Sequence, residues 1–114
     1  MTYRVTVAAA AEHDMFEIVE YTLARERELE PGLRVLERLE RRIASLSSNA
    51  HRGRRPPELR RIGLEEYREL IAAPWRILYS LREAQVHVVA VLDLRRDAAD
   101  LLRERALRFA RDQE

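Results

Sequence analysis

The ionisable side chains restrict the chemistry that this chain can perform. All 21 basic residues are arginine, and the sequence contains neither lysine nor cysteine. Schiff-base chemistry, thiolate nucleophiles, disulfides and cysteine-ligated zinc are therefore excluded. His13, His51 and His87 lack the spacing of metal ligands, so we expect no metal site and no cofactor. Proton transfer is left to Asp, Glu, His and Tyr, and anion binding to Arg.

The arginines are concentrated in the middle of the chain. Residues 51–96 contain 10 arginines against 6 acidic residues, whereas residues 1–50 contain 7 against 9 and residues 97–114 contain 4 against 5. Such a region can attract phosphates or an acidic protein, although the net charge of +1 is far below that of a dedicated DNA-binding domain. The candidate target- or phosphate-binding residues are Arg54, Arg55, Arg60, Arg76, Arg95 and Arg96.

Each of these arginines also has a structural interpretation. Arg76 alternates to the face opposite Ile77, which predicts an exposed or concave position, and it could instead pair with Glu69 on a neighbouring strand. Arg95 and Arg96 precede a predicted helix and could hold a phosphate at its N-terminus, or they could pair with nearby aspartates. The loop arginines could simply be solvated charges.

Residues 65–97 have the periodicity of three β-strands. Apolar residues recur there at or near every second position, which predicts that one face of each strand turns toward a core. The dipeptides Ala73-Pro74 and Glu83-Ala84 are short enough for hairpin turns. The residues predicted to share the core face are Tyr67, Ile71, Ile77, Tyr79, Val86, Val88 and Ala90.

The remaining segments are mostly helical. Residues 3–7 alternate as a first strand, and residues 9 to about 28 then follow helical spacing. Pro31 is suited to the first position of a second helix, and residues 50–64 form a loop with two glycines and two prolines. Asp97 is a candidate N-cap of a last helix.

These elements give the order β-α-α-β-β-β-α in one domain, residues 1–114. We expect an α+β fold in which an antiparallel sheet, built from the N-terminal strand and a three-stranded meander, packs against an α-helical hairpin, with a C-terminal helix. There is no long apolar run and no pattern of a secretory signal at the N-terminus. A cytoplasmic location without membrane contact is therefore expected.

Three segments of the predicted sheet resemble the ParE/RelE superfamily of toxins from type II toxin–antitoxin systems. They are YR at residues 67–68, PWRILY at residues 74–79 and VVAVLDLRRD at residues 88–97. The similarity extends over nearly the whole chain and includes the AEHDMFEIVEY helix at residues 11–21. It implies a toxin domain that forms a hetero-oligomer with a cognate antitoxin, whose C-terminal segment neutralises it.

The superfamily implies two different activities. RelE-like members are ribosome-dependent mRNA endoribonucleases, whereas ParE-like members inhibit DNA gyrase and lack the nuclease residues. By position, Arg68, Arg76 and Arg96 match three residues of the RelE pattern. Leu70 replaces a second basic residue of that pattern, and Leu102 stands where a tyrosine is expected.

The missing residues affect the chemistry. RNA cleavage by the 2′-hydroxyl needs a base for that hydroxyl, cations around the phosphate and an acid for the leaving oxygen. Arginine supplies only the cations, because its pKa is too high for proton exchange near neutrality. Glu69 and His87 are the remaining candidates for proton transfer, but they are not where relatives carry their acid or base.

The preferred interpretation is therefore a ParE-like toxin that inhibits DNA gyrase without being an enzyme. The alternatives are a RelE-like nuclease that acts on mRNA at the ribosome, and a decayed toxin that only binds its antitoxin. A toxin must also leave an apolar surface for the antitoxin. The candidate antitoxin-binding residues are Trp75, Leu94, Leu101, Leu102 and Phe109.

Overall fold

The elements follow the predicted order β-α-α-β-β-β-α, with one short helix added in the loop before the sheet. The structure is a computed structural model that describes residues 2–95 and 98–112, so the predicted N-cap Asp97 lies outside the described residues. The predicted α+β class is confirmed. In chain order the elements are β1 (Arg4–Val7), α1 (Ala9–Glu26), α2 (Glu30–Ala44), a 3-10 turn (Ser45–Ser47), α3 (Pro57–Arg60), β2 (Tyr67–Ala72), β3 (Trp75–Arg82), β4 (Gln85–Asp93) and α4 (Ala98–Asp112).

α1 and α2 form the expected helical hairpin. α1 ends because Arg27 adopts a left-handed conformation, with φ of 61°, and its backbone N–H donates to the carbonyl of Leu23. Pro31 lies in the first turn of α2, where its missing N–H is not needed. The two helices approach closely at Gly32, where a Cβ would lie 3.2 Å from the carbonyl oxygen of Val19. A larger residue at this position would push the helices apart.

The sheet is mixed, with the strand order β1-β4-β3-β2. β2, β3 and β4 form the predicted antiparallel meander, and their turns lie at Ala73-Pro74 and Glu83-Ala84 as expected. The prediction that the whole sheet is antiparallel is wrong, because β1 pairs with β4 in parallel. No hairpin joins β1 to β4, and the long crossover through two helices allows the parallel direction.

A β-bulge in β4 changes which side chains share a face. Tyr79 pairs with Val88 but Leu78 pairs with Ala90, so Val89 is an extra residue in β4. Val88 therefore faces the helical hairpin, whereas Ala90 faces the other side of the sheet. A strict two-residue period cannot anticipate this reversal.

The core-face prediction is correspondingly wrong at three of its seven positions. Tyr67 and Ala90 lie on the face opposite the hairpin, and Ile71 is 41% exposed. The prediction assumed one buried face, whereas helices cover both. The first core, between the sheet and the α1–α2 hairpin, contains Ala11, Met15, Ile18, Leu39, Ile43, Leu46, Ala50, Leu70, Ala72, Trp75, Ile77, Tyr79, Val86, Val88 and Val91. The second core, between the sheet and α3 with α4, contains Leu59, Tyr67, Leu78, Val89, Ala90, Leu92, Leu102 and Ala106.

An ion pair supports β4 where β1 no longer reaches. β1 ends at Val7, opposite Val88, so the backbone beyond the bulge has no strand partner on that side. The carboxylate of Asp14 on α1 accepts the N–H of Val91 at 2.9 Å. Arg105 on α4 donates to both Asp14 oxygens, at 3.0 and 2.7 Å, and to the carbonyl of Val89 at 3.2 Å. One salt bridge thus joins α1, β4 and α4.

We expect Asp14→Ala to lower the free energy of unfolding by about 2–3 kcal/mol, because Val91 and the largely buried Arg105 both lose their acceptor. Glu17→Ala is the matched control: Glu17 is on the same helix, but its side chain is 62% exposed, so the change should be below about 0.5 kcal/mol. Urea denaturation midpoints measure both. If both variants lost the same free energy of unfolding, Asp14 would have no special structural role.

Candidate functional site

The second core contains a buried carboxylate with three charged neighbours. The side chain of Glu69 is 0% exposed and that of Arg76 is 8% exposed. Arg76 Nε donates to Glu69 Oε2 at 2.7 Å, and its Nη2 contacts the same oxygen. Arg54 Nε donates to Glu69 Oε1 at 2.7 Å, and Glu58 Oε2 lies 3.4 Å from Arg76 Nη2. We refer to Arg54, Glu58, Glu69 and Arg76 as the Glu69 network.

Strand register brings these groups together. Glu69 pairs with Leu78 and Ile71 pairs with Arg76, so Glu69 and Arg76 are diagonal neighbours on one face. The loop before α3 lies beside β2 through two backbone hydrogen bonds between Arg54 and Glu69, at 3.1 and 2.8 Å. The hydrogen bond to Glu69 raises the pKa of Arg54 above its usual value.

The position of Arg76 confirms one prediction and corrects another. It faces away from Ile77 and pairs with Glu69, as the structural interpretation expected. The prediction that Arg76 is on an exposed or concave side is wrong, because it is buried. The reason is that α3 and α4 cover this face of the sheet, which strand periodicity alone did not indicate.

The arginines that match the RelE pattern do not converge. Arg68 pairs with Tyr79, whose side chain belongs to the first core, so Arg68 points to the face opposite Arg76. The Arg68 guanidinium donates to the carbonyls of His51 and Gly53, the latter at 2.9 Å. Arg96 lies outside the described residues. Arg68 and Arg76 therefore cannot hold one phosphate between them.

Groups for proton transfer are absent around Arg76 in the described part of the chain, apart from the two carboxylates of the Glu69 network. The His87 ring is hydrogen-bonded to Thr6 and Gln85. His87 is five residues from Leu92, the strand partner of Arg76, so it lies roughly 15 Å away along β4. Among residues 2–95 and 98–112, no cluster of His, Asp or Glu could hold a metal ion.

The two buried tyrosines have structural roles. The Tyr67 hydroxyl donates to the carbonyl of Ala106 at 3.1 Å, and burial raises its pKa to about 12. The Tyr79 hydroxyl donates to the carbonyl of Ala50 at 2.7 Å and accepts the N–H of Gly53 at 3.1 Å, and burial raises its pKa as well. Neither phenol is a proton acceptor near neutral pH.

The other predicted phosphate-binding arginines separate into paired and free residues. Arg95 donates to both carboxylate oxygens of Asp93, at 3.0 and 2.8 Å, and this contact raises the pKa of Arg95. Arg55 and Arg60 are exposed, and their side chains contact no carboxylate among the described residues. Phosphate or target binding by these residues stays a prediction.

The five predicted antitoxin-binding residues come together only in part: Trp75 and Leu101 line one pocket with Arg95. Leu102 is fully buried and Trp75 is 9% exposed, with an indole N–H that has no partner among the described residues. Leu101 and Phe109 pack against the second core, and only Leu94 is largely accessible, at 38%. Antitoxin binding by this set also stays a prediction.

An apolar groove lies elsewhere, between β1 and the helical hairpin. Its volume is about 890 Å³, and its exposed side chains include Phe16 at 61%, Leu29 at 51% and Leu33 at 45%. The prediction that the hairpin packs against the sheet did not anticipate that part of its apolar surface stays exposed. Phe16 was the available signal, because it widens the stripe of α1 beyond one core-facing side. The groove is lined by Val5, Val7, Glu12, Met15, Phe16, Val19, Leu29, Leu33, Leu36, Glu40, Ile43, Ala44 and Ser47.

The sequence of this chain matches the model of a known protein family. The family model described as the ParE toxin of the type II toxin–antitoxin system parDE matches residues 5–98. The chain belongs to the ParE toxin family. It is accordingly a toxin of a type II toxin–antitoxin system, and an antitoxin is its expected partner.

The fold of this ParE-family chain also resembles a solved structure. A chain described as the chromosomal ParDE TA system from P. aeruginosa superposes with a TM-score of 0.65 at 13% sequence identity, covering 81% of this chain and 96% of that chain. No curated protein matches. In the part of the chain that the structure describes, no helix is both long and apolar enough to cross a membrane.

We expect Arg76→Ala to destabilise the chain by about 3–5 kcal/mol, because it leaves Glu69 buried with only Arg54 as an ionic partner. Arg82→Ala is the control. Arg82 is also on β3, but its side chain is 68% exposed in its pair with Glu66, so less than about 1 kcal/mol should be lost. Chemical denaturation of both variants tests this. If Arg76→Ala were as stable as Arg82→Ala, Arg76 would again be a candidate for target binding.

Proposed function

We propose that this chain arrests growth by binding DNA gyrase stoichiometrically, without catalysing a reaction, and that its cognate antitoxin neutralises it. The target follows from the resemblance to gyrase-inhibiting ParE toxins. The observation that carries the choice is the burial of Arg76 in its ion pair with Glu69. This residue would be central to a nuclease site, and it has no free face for a phosphate.

The cost of breaking the Arg76–Glu69 ion pair also opposes a nuclease function. Binding a phosphate at Arg76 would require the guanidinium to leave Glu69, and an uncompensated buried carboxylate costs several kcal/mol. Arg68, on the opposite face, would also have to release two backbone carbonyls. Both changes oppose the nuclease alternative.

The target is tested with two purified assays that use the same toxin preparation. We expect the toxin to inhibit DNA supercoiling by gyrase and to accumulate cleaved DNA at near-stoichiometric toxin. We expect no cleavage of mRNA on programmed ribosomes, because among the described residues the carboxylates beside Arg76 are those that its ion pairs already engage. Ribosome-dependent mRNA cleavage without an effect on gyrase would overturn the proposal.

We further propose that the antitoxin binds in the groove between β1 and the α1–α2 hairpin. The groove combines a contiguous exposed apolar surface with the free edge of β1, which lies at one side of the sheet. Its ionisable lining residues are Glu12 and Glu40, with no arginine. This composition favours an apolar segment of the antitoxin that is flanked by basic side chains.

The double variant Phe16→Asp/Leu33→Asp should weaken antitoxin binding by about 100-fold or more, because it introduces two carboxylates into an apolar contact. Both side chains are exposed, so folding should be retained. Titration calorimetry with the cognate antitoxin measures the change.

The matched control is Ile62→Asp/Leu107→Asp, which places the same charges on apolar residues that are 46% and 52% exposed outside the groove. We expect its affinity to stay within a few-fold of the native value. Equal losses in both variants, or unchanged binding in the groove variant, would locate the antitoxin on another surface.

A further inference from the structure

Five of the ten arginines in the described helices are neutralised within their own helix. Arg25, Arg34, Arg41, Arg103 and Arg108 each pair with a carboxylate of their own helix. Around β2 the pattern is different: Arg68 donates only to backbone carbonyls, and six further arginines contact no carboxylate among the residues that the structure describes. We call these six the β2-edge strip: Arg38, Arg42, Arg52, Arg55, Arg60 and Arg61.

The fold collects the strip along one side of the sheet. β2 is an edge strand, and two arginines of α2 reach the backbone at its end: Arg42 donates to the carbonyl of Ile71 in β2 at 2.7 Å, and Arg38 donates to the carbonyl of Ala73 in the following turn. Arg52 donates to Ser45 at the end of α2, at 2.9 Å. The remaining three arginines follow on the loop and on α3, after the bridge between residues 54 and 69.

Two acidic residues of this region are turned inward. Glu69 is fully buried, and the side chain of Glu58, the one acid between residues 50 and 64, is 19% exposed and lies against Arg76. Glu65 is exposed beside Arg60 and Arg61, Glu66 pairs with Arg82, and Glu37 and Glu40 are exposed on α2. The carboxylates of Glu58 and Glu69 are therefore directed inward, whereas the guanidinium groups of the strip have no carboxylate partner at the surface.

We infer that the β2-edge strip binds the phosphate backbone of duplex DNA. This inference rests on the proposed function, because a toxin bound to gyrase lies close to the DNA that gyrase holds. A guanidinium has five N–H donors, so Arg38 and Arg42 keep donors for a phosphate beyond those given to β2. The strip borders a strand about 20 Å long, and several cations over such a length can contact successive phosphates of a duplex.

The test is the affinity of the full chain for a fluorescein-labelled duplex of random sequence, measured by anisotropy over a series of salt concentrations without gyrase. The variant Arg55→Ala/Arg60→Ala/Arg61→Ala removes three strip residues whose side chains have no protein partner among those described. The control Arg4→Ala/Arg34→Ala/Arg111→Ala removes the same charge from exposed positions away from the strip.

We expect the native chain to bind the duplex with an affinity that falls as salt rises. The strip variant should reduce the slope of log affinity against log salt by about 3, since each phosphate contact contributes about 0.9. The control should keep the native slope. No binding by the native chain at low salt, or equal loss in both variants, would overturn the inference.

The outcomes also separate this inference from the proposed function. If the chain bound duplex DNA through the strip but did not inhibit gyrase, DNA binding by the strip would be supported and gyrase would be ruled out as the target. If the chain inhibited gyrase but did not bind duplex DNA, only the inference of DNA binding by the strip would be refuted. If the strip variant then lost binding to gyrase in the absence of DNA, the strip would be a contact for an acidic protein surface instead.

Discussion

Burial of the Glu69 carboxylate is the constraint on which much of this structure depends. An ionised carboxylate in a protein core is stable only when it is paired and hydrogen-bonded. Arg76 on β3 and Arg54 in the loop before α3 both donate to the Glu69 carboxylate on β2, so the Glu69 network joins three segments. The same bonds consume the cation that a nuclease would need for its substrate. Structural stability and catalysis make incompatible demands on Arg76.

A second constraint is that backbone groups of the sheet without a strand partner need another partner. The sheet is covered on both faces, and ionic side chains serve part of this backbone. Asp14 and Arg105 serve the backbone of β4 beyond the end of β1. Arg42 donates to a carbonyl of β2, and Arg38 donates to the carbonyl of Ala73 in the turn that follows. Backbone polar groups of an edge strand invite pairing with other chains, and such coverage limits it.

Sequence patterns predicted the helices and strands well, but they did not predict the direction of β1 or the faces of β4. The order of the elements, both hairpin turns and the Arg76–Glu69 pair could be predicted, because turn residues and strand alternation are local. The parallel direction of β1 depends on a crossover of more than 70 residues and has no local signal. The bulge at Val89 reverses the faces of β4 without any glycine or proline to mark it. Local patterns do not encode these long-range features.

The candidate sites show the same distinction. An apolar stripe indicates that residues avoid water, but not whether a core or a partner covers them, and Phe16 therefore could not be separated from Met15 by type. Similarly, an arginine-rich segment does not reveal which of its cations are paired. Arg54 and Arg55 are adjacent in sequence, yet one is bonded to a buried carboxylate and the other is not. Only the three-dimensional contacts distinguish them.

The two proposed surfaces lie on opposite edges of the sheet. The groove is beside β1 and the strip is beside β2, with β4 and β3 between them. Three strand spacings of about 4.8 Å separate the edge strands by roughly 14 Å, and α2 contributes to both surfaces, with Ile43 lining the groove and Arg38 and Arg42 in the strip. A segment confined to the groove would therefore leave the strip accessible. Under the proposed function, neutralisation through the groove acts on the contact with gyrase itself, and we expect a neutralised complex to keep the affinity of the strip for DNA. An antitoxin that also masked the strip would need acidic residues beyond its groove-binding segment, because six arginines without carboxylate partners can be covered only by opposite charge.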